Sequence, residues 1–139
     1  MTKFRQATTD DIPAMSKIRL AVRENMLPDP SRITEQMYRD YLELLGRGWV
    51  AETEDGIVGF SYANSTDSSI WALFIAPEHE GRGYAKQLLQ LATTWLFEQG
   101  NDCVRLSTGK ATRADRFYAA QGWLRERENA TDVFYQLTK

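Results

Sequence analysis

The chain has 139 residues, of which 42% are hydrophobic and 12% aromatic, and its charged fraction is 26%. That is the length of one domain with enough apolar side chains for a core, which argues against disorder and for a single unit over residues 1–139. A net charge of −2 and a sequence pI near 5.5 lack the basic footprint of a general nucleic-acid binder, so no nucleic-acid partner is expected.

The first strand is expected from Lys3 to Ala7. Thr9 then reads as an N-cap, with Asp10 and Asp11 in the first turn, where carboxylates suit the helix dipole. Ile12, Met15, Ile18 and Val22 follow at helical spacing. Pro28 and Pro30 break this helix. Ser31 or Thr34 caps a second one, striped by Met37, Tyr41, Leu44 and Leu45 and ended by Gly46 and Gly48. The period then changes. Trp49 to Thr53 and Ile57 to Ala63 are strands joined by Glu54-Asp55-Gly56, a hairpin signal. Ser69 to Ala76 is a third strand, whose IWALFIA run is apolar on both faces, as in the middle of a covered sheet.

Pro77 closes that strand. Ala85, Leu88, Leu89, Ala92, Trp95 and Leu96 define an amphipathic helix ended by Gly100. Cys103 to Thr108 is a strand. Ala114, Phe117, Tyr118 and Gln121 mark a short helix stopped by Gly122. Leu124 to Glu128 and Val133 to Leu137 pair as a last hairpin across Asn129 to Asp132. The order β-α-α-β-β-β-α-β-α-β-β predicts an α/β (mixed α+β) fold. Its central mixed sheet of about six or seven strands carries helices on both faces, and the strand-helix-strand unit around residues 70 to 108 is parallel.

Cys103 is the only cysteine and His79 the only histidine. No intrachain disulfide can form, and no metal is expected. Cys103 sits in an apolar-leaning stretch and reads as a buried thiol. His79, between Glu78 and Glu80, reads as a solvated loop residue. Residues 1–7 lack the apolar core of a signal peptide, and no run approaches the roughly 20 apolar residues of a membrane span. A cytoplasmic protein without a membrane partner is the expectation. Asn129-Ala130-Thr131 fits a glycosylation sequon but reads as a hairpin turn.

The stretch PEHEGRGYAKQLLQLA, residues 77 to 92, puts two glycines and an arginine where a helix starts. It is either a tight turn or an anion site. First-turn N–H groups lack intrahelical acceptors, and the dipole adds positive charge. Glycine lets a backbone approach an anion and take positive φ, and Arg82 could add charge. The Rossmann pattern fails, because its third glycine would be Lys86. The Walker pattern fails at Gly109-Lys110, because Val104 and Ala111 stand where glycine and Ser or Thr must be.

Glu80-Gly81-Arg82-Gly83-Tyr84-Ala85 resembles the Q/R-x-x-G-x-G/A motif of the GNAT acetyltransferase superfamily, departing at Glu80. It follows LFIAPE, similar to the family's L-x-V-x-P-E. About thirty residues later ADRFYAAQGW resembles A-x-x-F-Y-x-x-x-G-F. The resemblance covers nearly the whole chain. It implies an acetyl-CoA-dependent N-acetyltransferase acting on a primary amine of a small molecule or protein by direct attack on the thioester. It further implies that Gly81, Arg82, Gly83, Tyr84 and Ala85 hold the cofactor pyrophosphate, that backbone groups of Phe74 and Ile75 bind the pantetheine, and that Tyr118 is the general acid.

A core tyrosine is the structural alternative for Tyr118, and plain core is the reading for Phe117. Ala111 stands where the family often carries asparagine, so one cofactor contact is expected to be missing. Arg113 or Arg116 could compensate through a phosphate, or could simply be solvated. No carboxylate lies on the central strand to act as base. Glu52, Asp67 or a backbone-held water are the candidates. Arg19, Arg23, Glu24 and Arg32 fall in the region that flanks the acceptor in this fold. A GNAT-like module that binds acyl-CoA or a protein partner without catalysis is the alternative function. Val133, Phe134 and Tyr135 on an edge strand would favour a homodimer.

Overall fold

The computed structural model describes residues 2–21, 36 and 46–139. Alternating and β-branched or aromatic stretches form seven strands in one sheet: β1 (Lys3–Gln6), β2 (Gly46–Thr53), β3 (Gly56–Asn64), β4 (Ser69–Ile75), β5 (Cys103–Gly109), β6 (Leu124–Glu128) and β7 (Asp132–Thr138). Their order across the sheet is β1-β2-β3-β4-β5-β7-β6. All neighbours are antiparallel except β4 and β5. Three α-helices lie within the described residues: α1 (Ile12–Ala21), α2 (Tyr84–Glu98) and α3 (Arg113–Ala120). The second helix expected from Met37 to Leu45 lies outside the described residues apart from Gln36, which is helical.

The sheet buries a different set of side chains on each face. On one face Ile12, Met15 and Ile18 of α1 pack with Val50, Phe60, Tyr62 and Ala72. On the other, Leu88, Leu89, Ala92 and Leu96 of α2 meet Trp49, Ala51, Val58 and Val104, and Tyr118 of α3 joins them. The spacing of the α2 residues puts them on one stripe, so the helix forms as it docks. It ends at Gly100, whose φ of +97° suits only glycine without strain.

Three sequence readings change. Thr8, not Thr9, is the cap: a 3-10 turn over Thr9–Asp11 precedes α1, and the Thr8 N–H donates to Asp11 Oδ2 at 2.8 Å. Asp11 also receives both terminal nitrogens of Arg5, 2.9 Å each, which ties β1 to the helix start. β2 begins at Gly46 rather than Trp49, so Gly46 and Gly48 are strand residues, and the helix they were expected to end lies outside the described residues. A side chain at Gly46 would place its Cβ 1.7 Å from the Ala63 carbonyl oxygen, so glycine is there for close strand approach.

The third change concerns the edge. Val133, Phe134 and Tyr135 lie in β7, which β5 and β6 flank on both sides. The edge is β6, and all five of its residues, Leu-Arg-Glu-Arg-Glu, are exposed. Charge of both signs on an edge is a common defence against strand addition. The apolar run therefore gives no argument for a dimer.

α3 is held against this hairpin by one buried carboxylate. Asp115 accepts from the Tyr135 hydroxyl, from Arg125 at 3.1 Å and from the Ala111 N–H at 2.9 Å. The Tyr135 hydroxyl and Arg125 keep the Asp115 carboxyl ionised below the usual range. Arg5 does the same for Asp11. A depressed folded pKa adds stability above the unfolded value near 4, and that stability is lost as pH falls through the folded pKa. Thermal denaturation should accordingly show the melting temperature falling steeply below about pH 4, and Asp115→Asn should lower it at neutral pH while flattening the acid limb.

Candidate active site

β4 and β5 pair at one point only, Ser69 with Arg105. The Arg105 N–H donates to the Ser68 carbonyl at 3.0 Å, and Ser68 Oγ donates to the Cys103 carbonyl at 2.6 Å. Beyond that clasp β5 runs along its whole length with β7, and β4 with β3. β4 also carries a bulge, since Tyr62 opposes Ala72 while Ala63 opposes Ile70, which leaves Trp71 as the extra residue. The two strands part, and the β4 edge from Trp71 to Ile75 has no strand beside it.

A cleft of about 570 Å³ occupies this gap. Leu73, Phe74 and Ile75 form one wall, and Ala114, Phe117, Tyr118 and Gln121 of α3 form the other. Its mouth is the loop before α2, with Glu80, Gly81, Gly83, Tyr84 and Ala85. Gly81 has φ +79° and Gly83 φ +85°, conformations that disfavour any side chain with a Cβ. Gly83 is the N-cap of α2, and a Cβ there would meet nothing within 4 Å. An open helix N-terminus thus faces free space. The helix start is anchored behind by Tyr84, whose hydroxyl lies 3.0 Å from Thr2 Oγ1 and whose ring meets Phe4 edge-on.

Of the eight residues expected at the site, seven line this one cleft: Phe74, Ile75, Gly81, Gly83, Tyr84, Ala85 and Tyr118. Arg82 lies in the loop but is exposed and does not line it. The Phe74 side chain turns to the α1 face, 5.8 Å from Phe60, with the Arg19 guanidinium 4.5 Å above its ring. The Phe74 main chain is spent on Phe60 of β3, in step with the Ala76 N–H bond to the Val58 carbonyl at 2.8 Å, so the main-chain groups that face the free edge of β4 are those of Leu73 and Ile75. Tyr118 is 6% exposed, with its ring against Phe117, Trp123 and Tyr135. Burial pushes its phenol above the ordinary value, so it stays protonated across the physiological range. It is at once a core residue and a wall of the cleft.

The candidate bases do not reach this space. Glu52 accepts from Arg5 Nε at 3.2 Å on the β1 side of the sheet, and Asp67 accepts from Ser69 Oγ in the turn before β4. Arg23, Glu24 and Arg32 lie outside the described residues. Cys103 is half-buried, with Sγ 3.4 Å from Gln136 Oε1. His79 is not solvated. Its side chain is only 11% exposed, it lines the cleft, and its Nε2 lies 3.5 Å from Asp55 Oδ2 of the β2–β3 turn. Asp55 and His79 are far apart in sequence, so neighbouring glutamates gave no sign of this burial. Phe117 likewise lines the cleft rather than filling core alone.

The residues that this cleft assembles are those of the sequence motifs. A model of the acetyltransferase (GNAT) family matches residues 13–123. The chain belongs to the GNAT acetyltransferase family. No curated protein is a significant match. Among solved structures, the PaiA N-acetyltransferase of Thermoplasma acidophilum, in complex with coenzyme A, superposes with a TM-score of 0.83 at 14% identity, over 100% of this chain and 99% of that one. The ribosomal-protein-S18-alanine N-acetyltransferase of Escherichia coli gives 0.78 at 14% identity over 99% and 94%. A Bacillus anthracis protein in complex with acetyl coenzyme A gives 0.79 at 15% over both whole chains. These likenesses establish the fold. No helix among the described residues is long and apolar enough to cross a membrane.

Ala111, where the family often has asparagine, has φ +59°. Alanine is strained in this left-handed region and asparagine tolerates it. Thr112 caps α3 immediately afterwards, accepting the Asp115 N–H at 3.2 Å, so the strain is imposed by the helix entry. Ala111→Asn should therefore stabilise the protein by about 0.5–1 kcal/mol. Calorimetry should record a melting temperature higher by roughly 2–4 °C, and an unchanged or lower value would show that the backbone there is relaxed.

Proposed function

We propose that the chain is a single-domain, acetyl-CoA-dependent N-acetyltransferase that transfers the acetyl group to a primary amine of a small molecule or protein. The observation that carries this reading is the gap between β4 and β5, walled by α3 and ending at an open helix N-terminus. An extended chain with an anionic end suits it. Pantetheine would lie along the free β4 edge, and main-chain groups of Leu73 and Ile75 would satisfy its amides as a neighbouring strand would, with Phe74 between them turned to β3. Gly81, Gly83, Tyr84 and Ala85 would hold the pyrophosphate through their N–H groups, with Arg82 adding charge from the surface. Coenzyme A in one relative and acetyl coenzyme A in another support the same ligand class here.

When bound, acetyl-CoA supplies an activated thioester carbonyl. The protein must orient it, polarise it and protonate the departing sulfur. The Ile75 main-chain N–H, on the free edge of β4, would polarise the carbonyl. Tyr118 would donate to sulfur. A thiol has a reference pKa near 8.5 and a phenol near 10, and burial raises Tyr118 further, so its contribution is modest. A tyrosine held protonated serves as acid and not as base. The structural neighbour named as a ribosomal-protein-S18-alanine N-acetyltransferase supports a protein amino group as one class of acceptor. A cytoplasmic location fits these substrates.

Two outcomes test this. Gly83→Val forces a β-branched residue to φ +85° and fills the open space, so titration calorimetry should find coenzyme A binding abolished while the fold persists by circular dichroism; undiminished affinity would remove the loop from the site. Tyr118→Phe keeps the ring packing and loses only the hydroxyl, so kcat should fall by roughly 10²-fold with cofactor affinity nearly intact. Because Tyr118 stays protonated, the wild-type rate should show no alkaline loss from it between pH 7 and 9. Equal turnover of the two proteins across that range would make Tyr118 structural.

A further inference from the structure

We propose that Arg113 is the phosphate-binding cation of this cleft, and that its pairing with Glu80 cancels a charge that would otherwise repel the ligand. The proposal rests on the reading that the cleft takes the pyrophosphate of coenzyme A, and it adds a binding residue to that site from the opposite wall.

The loop opens with Glu80, a carboxylate at the lip of an anion cradle. Alone it would oppose a diphosphate. Arg113 Nη1 lies 2.5 Å from Glu80 Oε2, across a separation of 33 residues. The two residues come from different walls, Glu80 from the loop and Arg113 from the first turn of α3, and both line the cleft. Nη2 of the same guanidinium reaches over the loop, 3.8 Å from where a Cβ on Gly81 would stand. The group thus bridges the carboxylate and the glycine whose backbone forms the cradle. A planar guanidinium has five N–H donors in a fixed fork and can serve a carboxylate and a phosphate together.

Structural support is a poor explanation for the pair. Arg113 and Glu80 side chains are 56% and 37% exposed, and exposed ion pairs contribute little to stability. What the pair does achieve is local. It neutralises Glu80 at the lip of the cradle and sets guanidinium N–H groups beside the helix N-terminus. Arg82, which the sequence suggests for that role, is exposed and outside the cleft lining. Arg116 is exposed and reaches back only to the Ala111 carbonyl at 3.5 Å.

The test compares coenzyme A with S-acetylpantetheine, which carries no phosphate, by titration calorimetry. Arg113→Ala should weaken coenzyme A roughly tenfold or more, leave S-acetylpantetheine within about twofold, and leave the melting temperature unchanged. Glu80→Arg in the Arg113→Ala background, which moves the cation to the loop, should recover most of the lost affinity. Equal losses for both ligands would mean that Arg113 only shapes the wall, and an unchanged affinity for coenzyme A would mean that it touches no phosphate; either overturns the proposal, as does failure of Glu80→Arg to rescue. Wild-type protein that binds no coenzyme A would instead overturn the functional reading on which the proposal stands.

Discussion

The structure depends on one broken pairing. β4 and β5 start together, clasped through Ser68 and its bonds to Arg105 and Cys103, and then diverge. A strand edge without a partner leaves N–H and C=O groups that must be satisfied by something else. In most folds that is a liability handled by charge or cover, as on β6 here. Inside the sheet it becomes a slot of fixed width, lined on one side by main chain and on the other by α3. Bond donors and acceptors set at strand spacing suit the proposed ligand, which has amides of its own.

The gap stays open because each strand is committed on its other side. β5 is paired with β7 from Cys103 to Gly109, and β4 with β3 from Ser69 to Ile75. α3 cannot fall into the space, because Asp115 holds it to Tyr135 and Arg125 of the hairpin. The same carboxylate accepts the Ala111 N–H, which fixes the strained entry to the helix. One buried, ionised side chain therefore sets where Arg113, Phe117 and Tyr118 stand relative to β4. Charged hydrogen bonds of this kind are worth more inside than at the surface, and leaving one of the partners unpaired is costly.

Much of this was readable locally. Period-two runs located the strands, and the Leu88 to Leu96 stripe located α2. The glycines at 81 and 83 marked positive φ, because only glycine adopts it freely at a helix entry. The motif residues Tyr118 and Gly83 therefore arrived together in one cleft. What escaped were facts about pairs distant in sequence. That β7 lies inside β6 is a matter of sheet order, which three apolar residues in a row cannot reveal. The place of Gly46 in β2 was missed, because what demands glycine there, the Ala63 carbonyl, is on another strand. His79 looked wet beside two glutamates, yet Asp55 covers it from the neighbouring turn. The sequence leaves Arg113 and Arg116 alike, each a phosphate contact or a solvated side chain, and only the place of Glu80 opposite Arg113 separates them.

The last of these bears on how an acidic chain would offer the proposed anion site. The net charge is −2, but at physiological salt the field of exposed charges decays within about 8 Å. A pyrophosphate in the cleft would respond to the groups within that radius and little to the total. Among the groups at the mouth are the N–H ends of α2, fixed in direction by the fold, with Lys86 in the lining, Arg82 in the loop and Arg113 offsetting Glu80. Backbone dipoles are not counted in net charge and need no reorganisation when an anion arrives. The same locality explains the division of labour in the cleft. Polarity is concentrated at the mouth, where water also reaches. The inner wall is Leu73, Phe117 and a tyrosine buried enough to stay protonated. In the proposed reaction charge would thus be held at the mouth, and the hydroxyl and main-chain N–H that act on the thioester would sit beside apolar side chains, where their effect is larger than in water.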